Sequence, residues 1–210
     1  MRTASDDRTA RAVIRDEALR LFAERGPDAV TVRQIAAAAG VSPALVVHHF
    51  GSKEGLRQAV DQHVLDLFDA MMSELTASSA GDLYDSVASG SLAEAILARL
   101  PPDSSVPAYL RRMLLAGGGA GRELFGRLFR LSTGLLAALV AAGLAAPGAD
   151  PPVRAAFLLC NDLAVLLLRD HIGAALGTDP LSGPGMARWT REMLVIYGSG
   201  LLASPPGAPP

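Results

Sequence analysis

The sequence predicts an all-α protein: a small helical head followed by a larger helical domain. Three observations carry that prediction. Apolar residues recur at three- and four-residue spacing along almost the whole chain. Ala and Leu, both strong helix formers, dominate those positions. The breakers Gly26-Pro27, Gly40, Gly51-Ser52, Pro101-Pro102, Gly117-Gly118-Gly119, the stretch from Pro147 to Pro152 and that from Gly177 to Gly183 fall between the periodic segments. The 210 residues are 50% hydrophobic, 5% aromatic and 19% charged, with a net charge of −2. That length can enclose a core, and so apolar a composition excludes intrinsic disorder. A near-neutral balance excludes a uniformly basic nucleic-acid coat, so any DNA contact must be local. The single cysteine, Cys160, excludes an internal disulfide and is expected as a small core thiol.

Each element follows from its own pattern. The first helix spans 7–25, with Ile14, Ala18, Leu21 and Phe22 as its buried stripe, and Gly26-Pro27 stops it. Short helices follow at 31–39 and from Ser42-Pro43 to Phe50. Longer, more apolar ones are placed near 53–78, 82–99, 106–116, 121–143, 152–176 and 185–203. Asp150 before Pro151-Pro152 reads as a helix start, since proline in a first turn loses no needed N–H. The tail 204–210 is expected to be disordered. Residues 1–63 hold nine Lys/Arg against eight Asp/Glu, and residues 64–210 hold ten against thirteen, a slight positive bias towards the head. The polar start MRTASDDRTA carries no apolar block, and the longest apolar run, 155–168, is interrupted by Asn161-Asp162, so a cytoplasmic protein without membrane contact is expected.

The window 31–50 is the most informative. Thr31 and Gln34 have capping-box spacing. Ala36 is small where two helices must cross closely, and Gly40 can take a positive φ in a tight helix–helix turn. Ser42 caps the next helix with Pro43 at its first position. Val46 and Phe50, four apart, face inward. A small residue, a turn glycine and an inward aliphatic at 36, 40 and 46 spell a helix-turn-helix. Ala44, Val47 and His48 then face outward, behind Ser42 and Pro43. Small and modestly polar groups at the leading end of such a helix suit insertion into a major groove. Arg33 can reach a base edge or a phosphate, and Thr31, Ser42 and Lys53, the one lysine in the chain, sit at or beside helix starts that favour phosphate oxygens.

The string LFAERGPDAVTVRQIAAAAGVS at 21–42, followed by HHFGSKEGL at 48–56, resembles the N-terminal domain of TetR-family transcriptional repressors. The resemblance covers about residues 8–66 and leaves 67–203 as a variable regulatory and dimerisation domain. It implies a homodimer that sets two recognition helices in successive major grooves of a palindromic operator, about 34–36 Å apart. It further implies a small-molecule effector bound among the later helices, which shifts the helix starting near Lys53 and lowers operator affinity. Where family members usually carry an aromatic that touches a phosphate, this chain has Val47.

The segments 152–176 and 185–203 are apolar on more than one side. Either they lie central to their own subunit, or they form a four-helix bundle with a second copy, as family dimers do. Candidate effector-pocket residues are Tyr109, Met113, Phe125, Phe129, Phe157 and Asn161, and for each of them plain core packing is the competing account. Low aromatic and charge content points to a largely apolar effector. The run Ala116-Gly-Gly-Gly-Ala-Gly121 has neither a preceding strand nor a following Lys-Ser/Thr and is a helix connection, not a phosphate loop. His48, His49, His63 and His171 lack metal-ligand spacing, and no nucleophile elbow or triad pattern occurs, so neither metal, cofactor nor catalytic residue is expected. The competing class is a DNA-binding architectural or partner-controlled protein without a small ligand.

Overall fold

The computed structural model describes residues 4–76, 100–101 and 103–199, and every regular element among them is a helix. The predicted helix at 82–99 and the tail at 204–210 lie outside the described residues. The helices are α1 (Ala4–Arg25), α2 (Val32–Ala38), α3 (Pro43–Phe50), α4 (Lys53–Thr76), α5 (Val106–Ala116), α6 (Gly119–Ala141), α7 (Pro151–Leu167), α8 (Arg169–Leu176) and α9 (Gly183–Ser199). They fall into two compact units, residues 1–75 with 99–134 and residues 76–98 with 135–210.

In the first unit α1 supplies the expected stripe: Ile14, Ala18, Leu21 and Phe22 are buried. Val30, Ile35, Ala36 and Val46 from the following segments, and Leu56, Val60 and Val64 from α4, are buried with them. Local chemistry shapes the turns. The Gln34 N–H donates to Thr31 Oγ1 at 3.3 Å while the Thr31 N–H donates to Gln34 Oε1 at 2.8 Å, closing the predicted capping box. At the other end of α2, Gly40 has φ +66°, and the Val41 and Gly40 N–H groups donate to the carbonyls of Ala36 and Ala37. That pair of bonds satisfies carbonyls a helix end leaves orphaned. The Leu45 N–H then donates to Ser42 Oγ at 3.2 Å, starting α3 with Pro43 in its first turn.

Sequence motifs divide the chain near residue 66, whereas packing places α5 and the first half of α6 with the head. Three polar ties account for it. Arg112 donates from Nε to the Ala23 carbonyl (2.7 Å) and from Nη2 to the Glu24 carbonyl (2.8 Å), satisfying the last turn of α1. Tyr109 Oη donates to Asp61 Oδ1 at 2.7 Å. Arg127 donates to the Leu65 carbonyl and pairs with Asp69. Helix α6 is long and apolar enough, by length and composition alone, to cross a membrane; Arg127 on it is nonetheless held by α4.

In the second unit Asp150 caps α7 as expected, its Oδ1 accepting from the Val153 N–H at 3.1 Å. Ala155, Leu159, Val165 and Met186 are buried. The continuous helix expected over 152–176 is instead two, α7 and α8, bent by 76° at Leu168. Neither proline nor glycine stands at the break. Arg169, the next residue, grips Asp179 with Nε and Nη2 (2.9 and 2.5 Å), a two-point pair that turns α8 towards the loop before α9. Cys160 is exposed on α7, not a core thiol, because the helix turns it off the face that buries Ala155 and Leu159. Burial pushes the Asp162 carboxyl up to about 6.

Two outcomes follow for stability. A Cβ at position 40 would meet no heavy atom within 4 Å, so the certain cost of a side chain there is the left-handed backbone itself. Gly40→Val is expected to lower the melting temperature by several degrees, on a penalty of about 1–2 kcal/mol or more; an unchanged melting curve would refute the turn. A buried acid with a raised folded pKa favours the protonated native state, so stability is lost as pH rises from about 4 to 6. Asp162→Asn should therefore melt above the wild type at pH 7, with the gap closing near pH 4; parallel profiles across that range would contradict the buried carboxyl.

Candidate nucleic-acid interface

Because Val46 is 1% exposed and anchors α3 from below, the opposite face of that helix is presented outward. Ser42, Pro43, Ala44, Val47 and His48 are all exposed, as are Thr31 and Arg33 at the start of α2. The helix-turn-helix thus gathers seven of the eight residues expected at a DNA contact onto exposed positions. The eighth, Lys53, is half-buried, and its Nζ donates to the Asp28 carbonyl at 3.3 Å. The Thr31 hydroxyl is engaged with Gln34, accepting from its N–H and donating to its Oε1 at 3.0 Å. Phe50, expected to face inward with Val46, is only half-buried.

The head's cations are unevenly committed. Arg15 pairs with Asp16, Arg20 with Glu17 and Glu24, and Arg57 with Glu54. Among the described residues Arg33 carries no such pair. Two residues escaped the sequence reading. Arg11 on α1 lies over the Phe50 ring, its Cζ 5.3 Å from the centroid. Arg112 ties α5 to the end of α1. Neither leaves a local signal, because each acts on a partner distant in the chain.

The effector-pocket candidates distribute as follows. On α5, Tyr109 and Met113 are buried, and Tyr109 is engaged with Asp61. Burial and the neighbouring Asp61 raise the Tyr109 phenol, and burial raises the Asp61 carboxyl, so the bond joins a neutral hydroxyl to a partly desolvated acid. On α6, one turn apart, Phe125 is exposed and Phe129 half-buried. On α7, Phe157 is 66% exposed and Asn161 is half-buried. An open depression of about 420 Å³ in the second unit is lined by Arg169, Asp170, Gly173, Gly177, Thr178 and Asp179, none of them among the candidates. Among the described residues no three His, Cys, Asp or Glu side chains gather as a metal site.

Comparison with known proteins agrees with this geometry. Residues 14–60 match the family of bacterial regulatory proteins of the tetR type, and residues 103–203 match the tetracyclin repressor-like C-terminal domain. The chain is 39% identical over 154 residues to the HTH-type transcriptional regulatory protein RaaS of Mycobacterium tuberculosis, covering 73% of this chain and 68% of that protein. Two solved structures share the fold. The transcriptional regulator FadR from Bacillus subtilis, in complex with stearoyl-CoA, superposes with a TM-score of 0.64 at 15% identity, covering 91% of this chain and 99% of that one. A putative transcriptional regulator from Saccharomonospora viridis, in complex with choline, gives 0.65 at 21% identity, covering 89% and 96%. A capped helix-turn-helix with an exposed α3 face, and matches that take in both the head and the later helices, establish that the chain belongs to the TetR family of transcriptional regulators.

Proposed function

We propose that the protein is a homodimeric, cytoplasmic repressor that holds a palindromic operator through two α3 helices and releases it on binding a small, largely apolar effector. The observation that carries this reading is the exposed face of Ser42, Pro43, Ala44, Val47 and His48, with Arg33 beside it and Val46 fixed beneath. One such face neutralises few phosphates, so a single head binds weakly and two are needed. The second copy has a surface to occupy. On α7, Val153 is 62% and Phe157 66% exposed, and on α9 Leu194, Val195, Ile196 and Tyr197 are exposed as well. Apolar side chains at such density favour an isologous helix bundle.

Effector control is supported from two sides. Structural neighbours have been solved with stearoyl-CoA and with choline, so this fold accommodates small ligands. Within this chain, the bonds from Tyr109 to Asp61 and from Arg112 to the α1 carbonyls join α5 to α4 and α1, whose buried side chains share the head's core with Val46 of the reading helix. An effector that displaces α5 therefore displaces α4 and α1. If it prefers the released arrangement about 100-fold, operator affinity falls by the same factor.

An operator recovered by selecting bound duplexes from a random pool allows the decisive titration. Arg33→Ala is expected to weaken binding by about 1–3 kcal/mol with the oligomeric state unchanged; equal affinity would remove Arg33 from the contact. Phe157→Glu should raise the dimer dissociation constant on the order of 100-fold or more, because one substitution alters both sides of a two-fold interface. Light scattering reads the outcome, and an unaltered dimer would place the interface elsewhere.

A further inference from the structure

We infer that Arg11 is a second anchor on the DNA backbone, a phosphate-binding residue carried by α1 and aimed by the last residue of the recognition helix. This rests on the DNA-binding reading above. The exposed face of α3 carries no lysine or arginine: Pro43, Ala44 and Val47 offer no side-chain donor, Ser42 Oγ accepts as a cap and has only its hydroxyl proton to give, and His48 offers a ring N–H. Phosphate contacts fix a reading helix on its duplex and supply most of its non-specific affinity. They must come from beside α3 here.

Arg33, one residue after the Thr31 cap of α2, is exposed and carries no carboxylate partner. At the C-terminal end of α3 stands Arg11. It is exposed, its guanidinium lies over the half-buried Phe50 ring at 5.3 Å, and among the described residues no carboxylate pairs with it. Its neighbour one turn earlier, Asp7, has its Oδ1 3.6 Å from His49 Nε2. Stacking on a ring restrains a guanidinium while leaving its in-plane N–H donors free, the arrangement that takes a phosphate in two-point fashion. The spacing also fits. A helix of eight residues is about 12 Å long, so Arg11, at the last residue of α3, stands about that far from the Ser42 end that meets the bases, outside the stretch that reads them.

The test uses the full-length protein and a random-sequence 40-base-pair duplex, with binding followed by fluorescence anisotropy from low to moderate salt. Arg11→Gln is expected to weaken binding several-fold at about 0.1 M salt and to lower the slope of log K against log salt by about 1 per protomer. Arg11→Lys keeps the slope. A slope and affinity equal to wild type in Arg11→Gln would overturn the inference. Should Arg11→Gln fold poorly, phenylglyoxal modification of the wild type read by mass spectrometry decides: DNA slows modification at Arg11 if the anchor is real, and equal rates with and without duplex overturn it. Loss of all duplex binding by the wild type would instead sink the DNA-binding reading. Weakened Arg33→Ala beside unaffected Arg11→Gln would remove only the second anchor.

Discussion

A single backbone conformation, the left-handed φ of +66° at Gly40, governs what the head can present. It closes α2 with two return bonds to the carbonyls of Ala36 and Ala37 and redirects the chain into Ser42, which caps α3. With Val46 then drawn into the core, helical geometry leaves Ala44, Val47 and His48 no position but the outer face. The reading surface is thus a consequence of a turn and one buried aliphatic. It is not an independently stabilised feature, because its own side chains make few contacts with the rest of the head.

Charge tells a complementary story. The head has nearly balanced charges, and most of its arginines are satisfied by neighbouring carboxylates on exposed helix faces. Such pairs add little stability, yet they withdraw cations from any polyanion. Among the described residues Arg33 and Arg11 carry no such carboxylate partner, and Arg11 stands at the last residue of α3. Sparse positive charge per head makes duplication of the head the natural route to useful affinity, and the exposed apolar side chains of α7 and α9 offer a way to duplicate it.

The buried polar links have a different cost. Asp61 is partly desolvated, which disfavours its charge, and the Tyr109 hydroxyl offsets that by donating to it. Removing either partner leaves the other without compensation. Together with Arg112 on the α1 carbonyls, this bond makes α5 a strut of the head. The strut ties α5 to α4 and α1, the two long helices of the head.

Much of the head was legible from the residue string because its determinants are local. The capping box at Thr31 and Gln34, the glycine at 40 and the Ser-Pro start at 42 and 43 each act within four residues of themselves, as does the Asp150 cap in the second unit. Periodicity likewise identified the buried stripe of α1. What it could not supply was pairing across the chain. The break at Leu168 tracks with Arg169 reaching Asp179, ten residues on. The half-exposed Phe50 beneath Arg11 and the tie from Tyr109 to Asp61 depend on helices meeting that are far apart in sequence. Cys160 was misjudged for the same reason: composition says a thiol suits a core, and only packing decides which face of α7 becomes one. Order along the chain determined the helices, their caps and the turn that makes a reader of DNA. The tertiary structure decided which of the described cations lack a carboxylate partner and which helices are tied to one another, because those depend on distances between segments that no local pattern encodes.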